Sequence, residues 1–395
     1  MLRLTGKHPV LEHIAAFTVA WVAASCLFLY VLRPITIPQP EPGYHVDILG
    51  KGEPAVRNLI YLSDAIRGGK TLVVLGSSEL DRPVWNPYTP NLFFPAHHLA
   101  KVFTYGRPGF DTLGMYGLMY GVRPHLNSKT RLIIMLSPEW FRTTDLRAQR
   151  FNENFNDNVL LQLYWSDEAR SVFHDYLSGH QFEFSSMTPT QSMFLSDPNS
   201  MFDDLNLPGF LARTLNARAY SQRVKLDMRL ERLAQPQPAD DYSAGNAAYL
   251  PWDRYEAGAR ADELARMGHN DLWVRDSFYK IHSGSTGGLS ARHYYPDDMN
   301  PEPEMAALRE LLQLLHTSKV NALFIMQPIN PKLFDDVHSF DPVDARIAVL
   351  CNEFGMGYYD QYKQPYQQGM LRDGVHPGEL GWEMLDLQIA EYFRL

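Results

Sequence analysis

Three features of the sequence predict an α/β fold with a central, mostly parallel five-stranded sheet, a helical insertion and one N-terminal membrane-spanning helix. Five short aliphatic and β-branched runs, at 71–75, 101–105, 131–136, 320–327 and 357–360, read as buried strands because each is too short for a helix. Helix-like stretches at 111–125, 301–316, 343–354 and 379–393 separate them, the alternation expected of parallel strands joined by crossovers. The third feature is the stretch Ile14–Leu32, nineteen residues without a formal charge and almost all apolar. That is enough to cross a hydrocarbon core about 30 Å thick.

Arg3 and Lys7 precede the apolar stretch, whereas only acidic charges lie between Pro34 and Gly50, so the N-terminus is expected in the cytoplasm and the rest outside it. A cleaved signal peptide is the rival reading. The stretch is longer than the usual h-region, however, and no Ala-x-Ala follows it before the Pro-rich segment. Residues 1–13 are therefore read as a cytoplasmic N-terminus and 14–32 as an anchor in the cytoplasmic membrane. Residues 33–50 form an extended stalk, with four prolines in the nine positions 34–42. The α/β core occupies 51–141 and 299–395, with the insertion at 142–298.

At 395 residues and 45% hydrophobic, the chain can bury one large core with an insertion, or two domains. The net charge of −9 is spread along the sequence with no basic stripe among aromatics, which argues against nucleic acid as a partner. Of the two cysteines, Cys26 lies in the apolar stretch, so the exported part has only Cys351 and no internal disulfide. Cys351, beside Leu350 and Phe354 in a helical segment, reads as a small buried hydrophobe.

In chain order, the first strand stops at Gly76, expected to take turn torsions that side chains forbid, and sets Ser77 and Ser78 at the strand's carboxyl end. Taken alone, Gly-Ser-Ser also reads as a serine-capped helix start. The second strand runs into Gly106-Arg-Pro-Gly109, and the helix after it carries Gly114, Gly117, Gly121 and Pro124, which favours close packing. The third strand ends at Ser137-Pro-Glu-Trp-Phe141. Between 142 and 298, helical pieces such as Leu226–Leu233 and Ala257–Met267 alternate with polar, Pro-containing breaks. The closing helix is expected to bury Leu380, Met384, Leu387 and Tyr392.

Parallel strands with right-handed crossovers place their carboxyl ends on one edge, so the loops bearing Ser78, Gly109, Ser137, Gln327, Asp373 and His376 line one crevice. Arg372-Asp-Gly-Val-His-Pro-Gly378 holds the carboxylate and imidazole three residues apart in a turn, so Asp373 can orient one ring nitrogen while the other faces outward. A serine hydroxyl needs such a base before it can attack. Asp-x-x-His alone is a common surface turn; paired with the serine after the first strand, it makes a candidate triad.

Together, Gly76-Ser-Ser-Glu-Leu80, Ser137-Pro-Glu-Trp-Phe141, Gln327-Pro-Ile-Asn330 and Asp373-Gly-Val-His376, behind a single N-terminal anchor, resemble the DltD family of the SGNH (GDSL-like) hydrolase superfamily. The resemblance covers nearly the whole chain and is weakest between about 150 and 295. It implies an SGNH-type, flavodoxin-like three-layer fold and an extracytoplasmic enzyme of teichoic acid D-alanylation. By matching positions the nucleophile falls on Ser78, with Ser77 where the superfamily has Asp, and the base pair on His376 and Asp373. The oxyanion glycine falls on Gly109 or Gly106, with Gly109 preferred. The asparagine of the superfamily's third block is absent, leaving Ser137, the Trp140 indole or Gln327 as substitutes beside the Ser78 backbone.

The resemblance further implies a membrane O-acyltransferase partner (DltB-like), an acyl carrier-derived D-alanyl donor and a teichoic acid or other envelope glycan acceptor, with no cofactor. An SGNH esterase or thioesterase would share every catalytic residue, and a non-catalytic scaffold for the membrane acyltransferase is the third reading. No metal is expected: His97 and His98 point apart, with no carboxylate or cysteine spaced to complete a site. Ser283-Gly-Ser-Thr-Gly-Gly288 lacks the lysine and preceding strand of a phosphate cradle and reads as a loop. The insertion's tryptophans and tyrosines read as core rather than as a glycan platform.

Overall fold

The computed structural model describes residues 9–32, 71–80, 86–141, 166–179, 245–268, 270–283 and 299–395, with isolated positions between 62 and 69 and at 163 and 215. The expected stalk at 33–50, the helical piece 226–233, the loop 284–288 and much of the insertion lie outside these residues.

Five strands form one sheet: β1 Thr71–Gly76, β2 Lys101–Gly106, β3 Arg131–Leu136, β4 Asn321–Met326 and β5 Gly357–Asp360. Their order is β2-β1-β3-β4-β5, and every neighbouring pair is parallel. This is the flavodoxin-like order, whose switch point lies between β1 and β3. The described helices are α1 Pro9–Leu32, α2 Pro90–Ala96, α3 Thr112–Gly121, α4 Asp167–Gly179, α5 Trp252–Leu264, α6 Asp276–Ser283, α7 Glu302–Thr317, α8 Asp341–Glu353 and α9 Glu379–Phe393.

Alternate residues of each strand point to opposite faces, as the pleat requires. Val73, Leu75, Phe103, Leu132, Ile134, Phe324 and Met326 join a cluster with α3, α4, α7 and α8. Leu72, Val74, Val102, Ile133, Met135, Leu323 and Ile325 join the other, with residues of α2 and α9. Two helical layers thus enclose the sheet. The described helices of the insertion take part in both: Phe173 and Tyr176 of α4 are buried in the first cluster, while Trp252 and Tyr255 of α5 pack on the second.

One expectation about local structure needs correction, and one alternative reading falls away. Helix α9 buries Leu380, Trp382, Leu385, Ile389 and Ala390, whereas Met384, Leu387 and Tyr392 are only partly covered. The helix is wedged between the sheet and α5, so its buried stripe is broader than one apolar row and takes in Glu383 and Asp386. Ser77 and Ser78 do not start a helix; Leu80 N donates to Ser77 O at 3.1 Å and closes a turn.

Helix α1 is 24 residues long and carries the expected span, with Phe17, Val19 and Trp21 exposed. Its side chains are described only over 13–26, and among the described residues no helix is long and apolar enough to cross a membrane. Cys351 is fully buried in α8, and burial pushes its thiol up to about 12. His97 packs against the rings of Phe93 and Tyr255, with centroids 4.6 and 5.1 Å away.

Candidate active site

The site lies where β1, β2 and β4 end. Gly76 is needed there for room rather than for torsion. It has no positive φ, but a Cβ would fall on Glu79 Oε1 and lie 2.8 Å from Leu80 Cδ1. Glycine lets the turn fold back on itself and present Ser78 at the edge of the sheet. Gly109, in the loop after β2, does require its torsion, with φ +71°. That loop is tied to the first by the Ser77 hydroxyl, which donates to Arg107 O at 3.1 Å.

Opposite Ser78 stands the loop before α9. An isolated antiparallel bridge between Leu371 and Pro377, with Arg372 N donating to His376 O at 2.9 Å, closes it into a tight turn. Inside the turn, Asp373 Oδ1 accepts from the backbone N–H groups of Val375 and His376 at 2.9 and 2.8 Å. Asp373 Oδ2 lies 2.8 Å from His376 Nδ1, and His376 Nε2 lies 2.7 Å from Ser78 Oγ. The three side chains form one hydrogen-bonded line across 298 residues of sequence separation. Burial alone would raise the Asp373 carboxyl, but the hydrogen bond and charge of His376 and the two backbone donors outweigh it and hold the group below its usual range. Asp373 is therefore an anion that fixes Nδ1 as the protonated nitrogen and leaves Nε2 facing the hydroxyl as acceptor.

The other residues singled out from the sequence have varied surroundings. Gln327 is buried at the end of β4, where its backbone N–H donates to Leu136 O and its side-chain Nε2 donates to Glu79 Oε1 at 3.1 Å. Ser137 is buried, and its hydroxyl accepts from Glu139 N at 3.4 Å, at the start of the short 3-10 turn 138–141. Trp140 packs partly buried against the first core cluster. The structure thus brings together Ser78, Asp373 and His376, with Gln327 bonded to the neighbouring Glu79; among the described residues no hydrogen bond joins the Ser137 or Trp140 side chain to Ser78.

Several residues around the site had no role in the sequence reading. Glu79, buried directly after the candidate nucleophile, accepts from Ser77 N at 2.8 Å as well as from Gln327. An acid immediately after Gly-Ser-Ser was the one available signal. On the other side, Glu263 of α5 pairs with Arg275 and accepts from Glu379 N at 2.8 Å, so an insertion carboxylate caps the helix that follows His376. Arg275 N donates to Arg372 O at 2.8 Å, binding the insertion to the His376 loop. Arg372 Nε lies 3.7 Å from Asp373 Oδ2. Near Gly109, Asp111 caps α3 by accepting from Gly114 N and also accepts from the Tyr176 hydroxyl of α4 at 3.0 Å.

This arrangement can deprotonate one serine hydroxyl and return the proton on the same edge of the sheet, which is the chemistry of acyl transfer through a covalent ester. The chain also resembles known proteins over most of its length. A family model described as "DltD protein" matches residues 55–394. "Protein DltD" of Staphylococcus aureus (strain NCTC 8325 / PS 47) is 22% identical over 401 residues, covering 100% of this chain and 97% of that protein. "Protein DltD" of Bacillus subtilis (strain 168) is 20% identical over 352 residues, covering 86% and 87% respectively.

Proposed function

The chain belongs to the DltD family, whose members are cell-envelope proteins associated with D-alanine transfer to teichoic acids, and on that premise we propose that it is a serine-dependent D-alanyl transferase. The reading is carried by the hydrogen-bonded line from Ser78 Oγ through His376 to Asp373, at 2.7 and 2.8 Å.

In the first half-reaction Ser78 Oγ attacks the carbonyl carbon of an activated D-alanyl donor while His376 Nε2 takes the hydroxyl proton. The backbone N–H groups of Ser78 and Gly109 hold the developing oxyanion. Collapse breaks the bond to the leaving group, which departs with the proton from His376, and a D-alanyl ester remains on Ser78. In the second half an acceptor hydroxyl gives its proton to His376 and attacks that ester. Collapse releases the esterified acceptor and returns the proton to Ser78. Asp373 steadies the imidazolium in both halves.

The proposed setting is a single-pass anchor at 14–32 with the N-terminus inside and the catalytic part outside, reached through the stalk at 33–50. The donor is an acyl carrier-derived D-alanyl group handed on by a membrane O-acyltransferase (DltB-like), and the acceptor is teichoic acid or a related envelope glycan. The apolar run and the charge asymmetry around it support the anchor. The core is divided between 51–141 and 299–395, with 142–298 inserted.

Because the triad acts as a unit, Ser78→Ala and His376→Ala should each remove nearly all transfer, and the double variant should add little. Transfer at near-normal rate in either single variant overturns the reading.

A further inference from the structure

Glu79 is a buried carboxylic acid placed directly behind the candidate nucleophile, and nothing in the acyl-transfer scheme above uses it. Its Oε1 is the shared acceptor of two donors from different parts of the sheet: the Ser77 backbone N–H at 2.8 Å and the Gln327 side-chain amide at 3.1 Å. The first donor belongs to the turn that aims Ser78, and the second to the end of β4. Gly76 packs directly against the same oxygen, so the backbone at this point leaves space for that carboxyl and little else.

We propose that Glu79 is a positioning residue for Ser78 and His376, locking the nucleophile turn to the β4 loop and offering a negative charge to the imidazolium formed at each proton transfer; this rests on the acyl-transfer reading of the site. Burial wins and holds the Glu79 carboxyl above its ordinary range, against the N–H donors of Ser77, Glu79 itself and Gln327 and the charge of His376, which favour the ionised form. Proton transfer from Ser78 to His376 creates a positive charge within electrostatic reach of a carboxyl that is already desolvated. At that moment the carboxylate and imidazolium stabilise each other. Other charges also act on His376 and on its partner Asp373. Arg372 stands beside Asp373 on the same loop, and Arg275, itself paired with Glu263, reaches Asp373 from the insertion. Glu79 is the acid that comes from the nucleophile's own turn.

Two substitutions separate the lock from the charge. In Glu79→Gln the side-chain carbonyl can still accept from Ser77 and Gln327, but the charge is gone. In Glu79→Ala the two donors are orphaned as well. The full chain in detergent is given a soluble D-alanyl thioester of a small thiol, and thiol release is followed across pH. Glu79→Gln should lower kcat about tenfold with KM nearly unchanged, and the acid limb of the profile should move down by about one pH unit. Glu79→Ala should lose about a hundredfold or more. A Glu79→Gln protein with wild-type kcat and an unshifted acid limb overturns the charge role, and a wild-type kcat in Glu79→Ala overturns the lock. A wild-type chain that releases no thiol sinks the acyl-transfer reading itself and this proposal with it.

Discussion

Arg275 grips Glu263 with two parallel hydrogen bonds, from Nε to Oε1 at 2.6 Å and from a terminal guanidinium nitrogen to Oε2 at 2.5 Å. Glu263 is fully buried, whereas the Arg275 side chain is 16% exposed. The pair fastens α5 to the start of α9, because Glu263 also accepts from Glu379 N, and Arg275 N holds Arg372 O. Burial disfavours the Arg275 charge, yet pairing with Glu263 holds the guanidinium above its ordinary range.

Removing the buried carboxylate strips Arg275 of its two-pronged partner, leaving it the ion pair with Glu379 at 4.0 Å, and leaves the Glu379 N–H uncapped, a loss beyond that of an exposed pair. Glu263→Ala should therefore destabilise the fold by about 3–5 kcal/mol, read from urea denaturation. Arg275→Lys should not rescue it fully, because an ammonium cannot reproduce the two-pronged contact. A loss below about 1 kcal/mol in Glu263→Ala, within the range of an exposed pair, would contradict the account.

Tyr116 makes the opposite case. Its ring is fully buried in α3, its hydroxyl has no hydrogen-bond partner among the described residues, and burial pushes the phenol well up. An unpaired hydroxyl in the interior costs about 1–3 kcal/mol. Tyr116→Phe removes only that group, so thermal unfolding should show the variant equal to or more stable than wild type. Clear destabilisation would mean that the hydroxyl has a partner in solution.

Helix α9 carries a second buried strain of charge. Both carboxylate oxygens of Asp386 lack hydrogen-bond partners among the described residues, and burial, then the charge of Glu383, holds that group well above its ordinary range. Burial, with Glu256 adding to it, raises Glu383 to about 7. An acid whose folded-state value is raised costs nothing below the unfolded value of about 4, and its penalty grows as pH rises above it. Stability should therefore fall from pH 5 to pH 8, and Asp386→Asn should flatten that slope and raise the melting temperature most at the alkaline end. Parallel melting curves for variant and wild type across that range would refute the assignment.

The strands and most helices were legible because their cause is local. Leu72–Leu75 or Leu132–Leu136 alternate no polar residue, and such runs make buried parallel strands whatever lies around them. The meeting of Ser78 with His376 was legible for a topological reason: parallel strands bring their carboxyl ends to one edge. What remained illegible depends on partners distant in sequence. Nothing in the sequence around Glu263 marks it as a cap for α9, 116 residues later, and nothing around Tyr176 marks it as a partner of Asp111. The buried face of α9 is not legible from apolar spacing, which gives one row, while a helix wedged between a sheet and another helix buries more than one. At Gly76 the sequence suggests a torsional role, whereas the structure gives the closeness of Glu79 and Leu80 as its reason.

The central claim, that Ser78 carries the acyl group, is tested most directly by intact-mass analysis of the full-length protein in detergent after exposure to a D-alanyl thioester. The account predicts a mass increase of one D-alanyl group, mapped to Ser78 by peptide fragmentation. The adduct should persist in Ser77→Ala and be absent from Ser78→Ala and His376→Ala. A wild-type protein that acquires no adduct, or a Ser78→Ala protein labelled at Ser77, would contradict it.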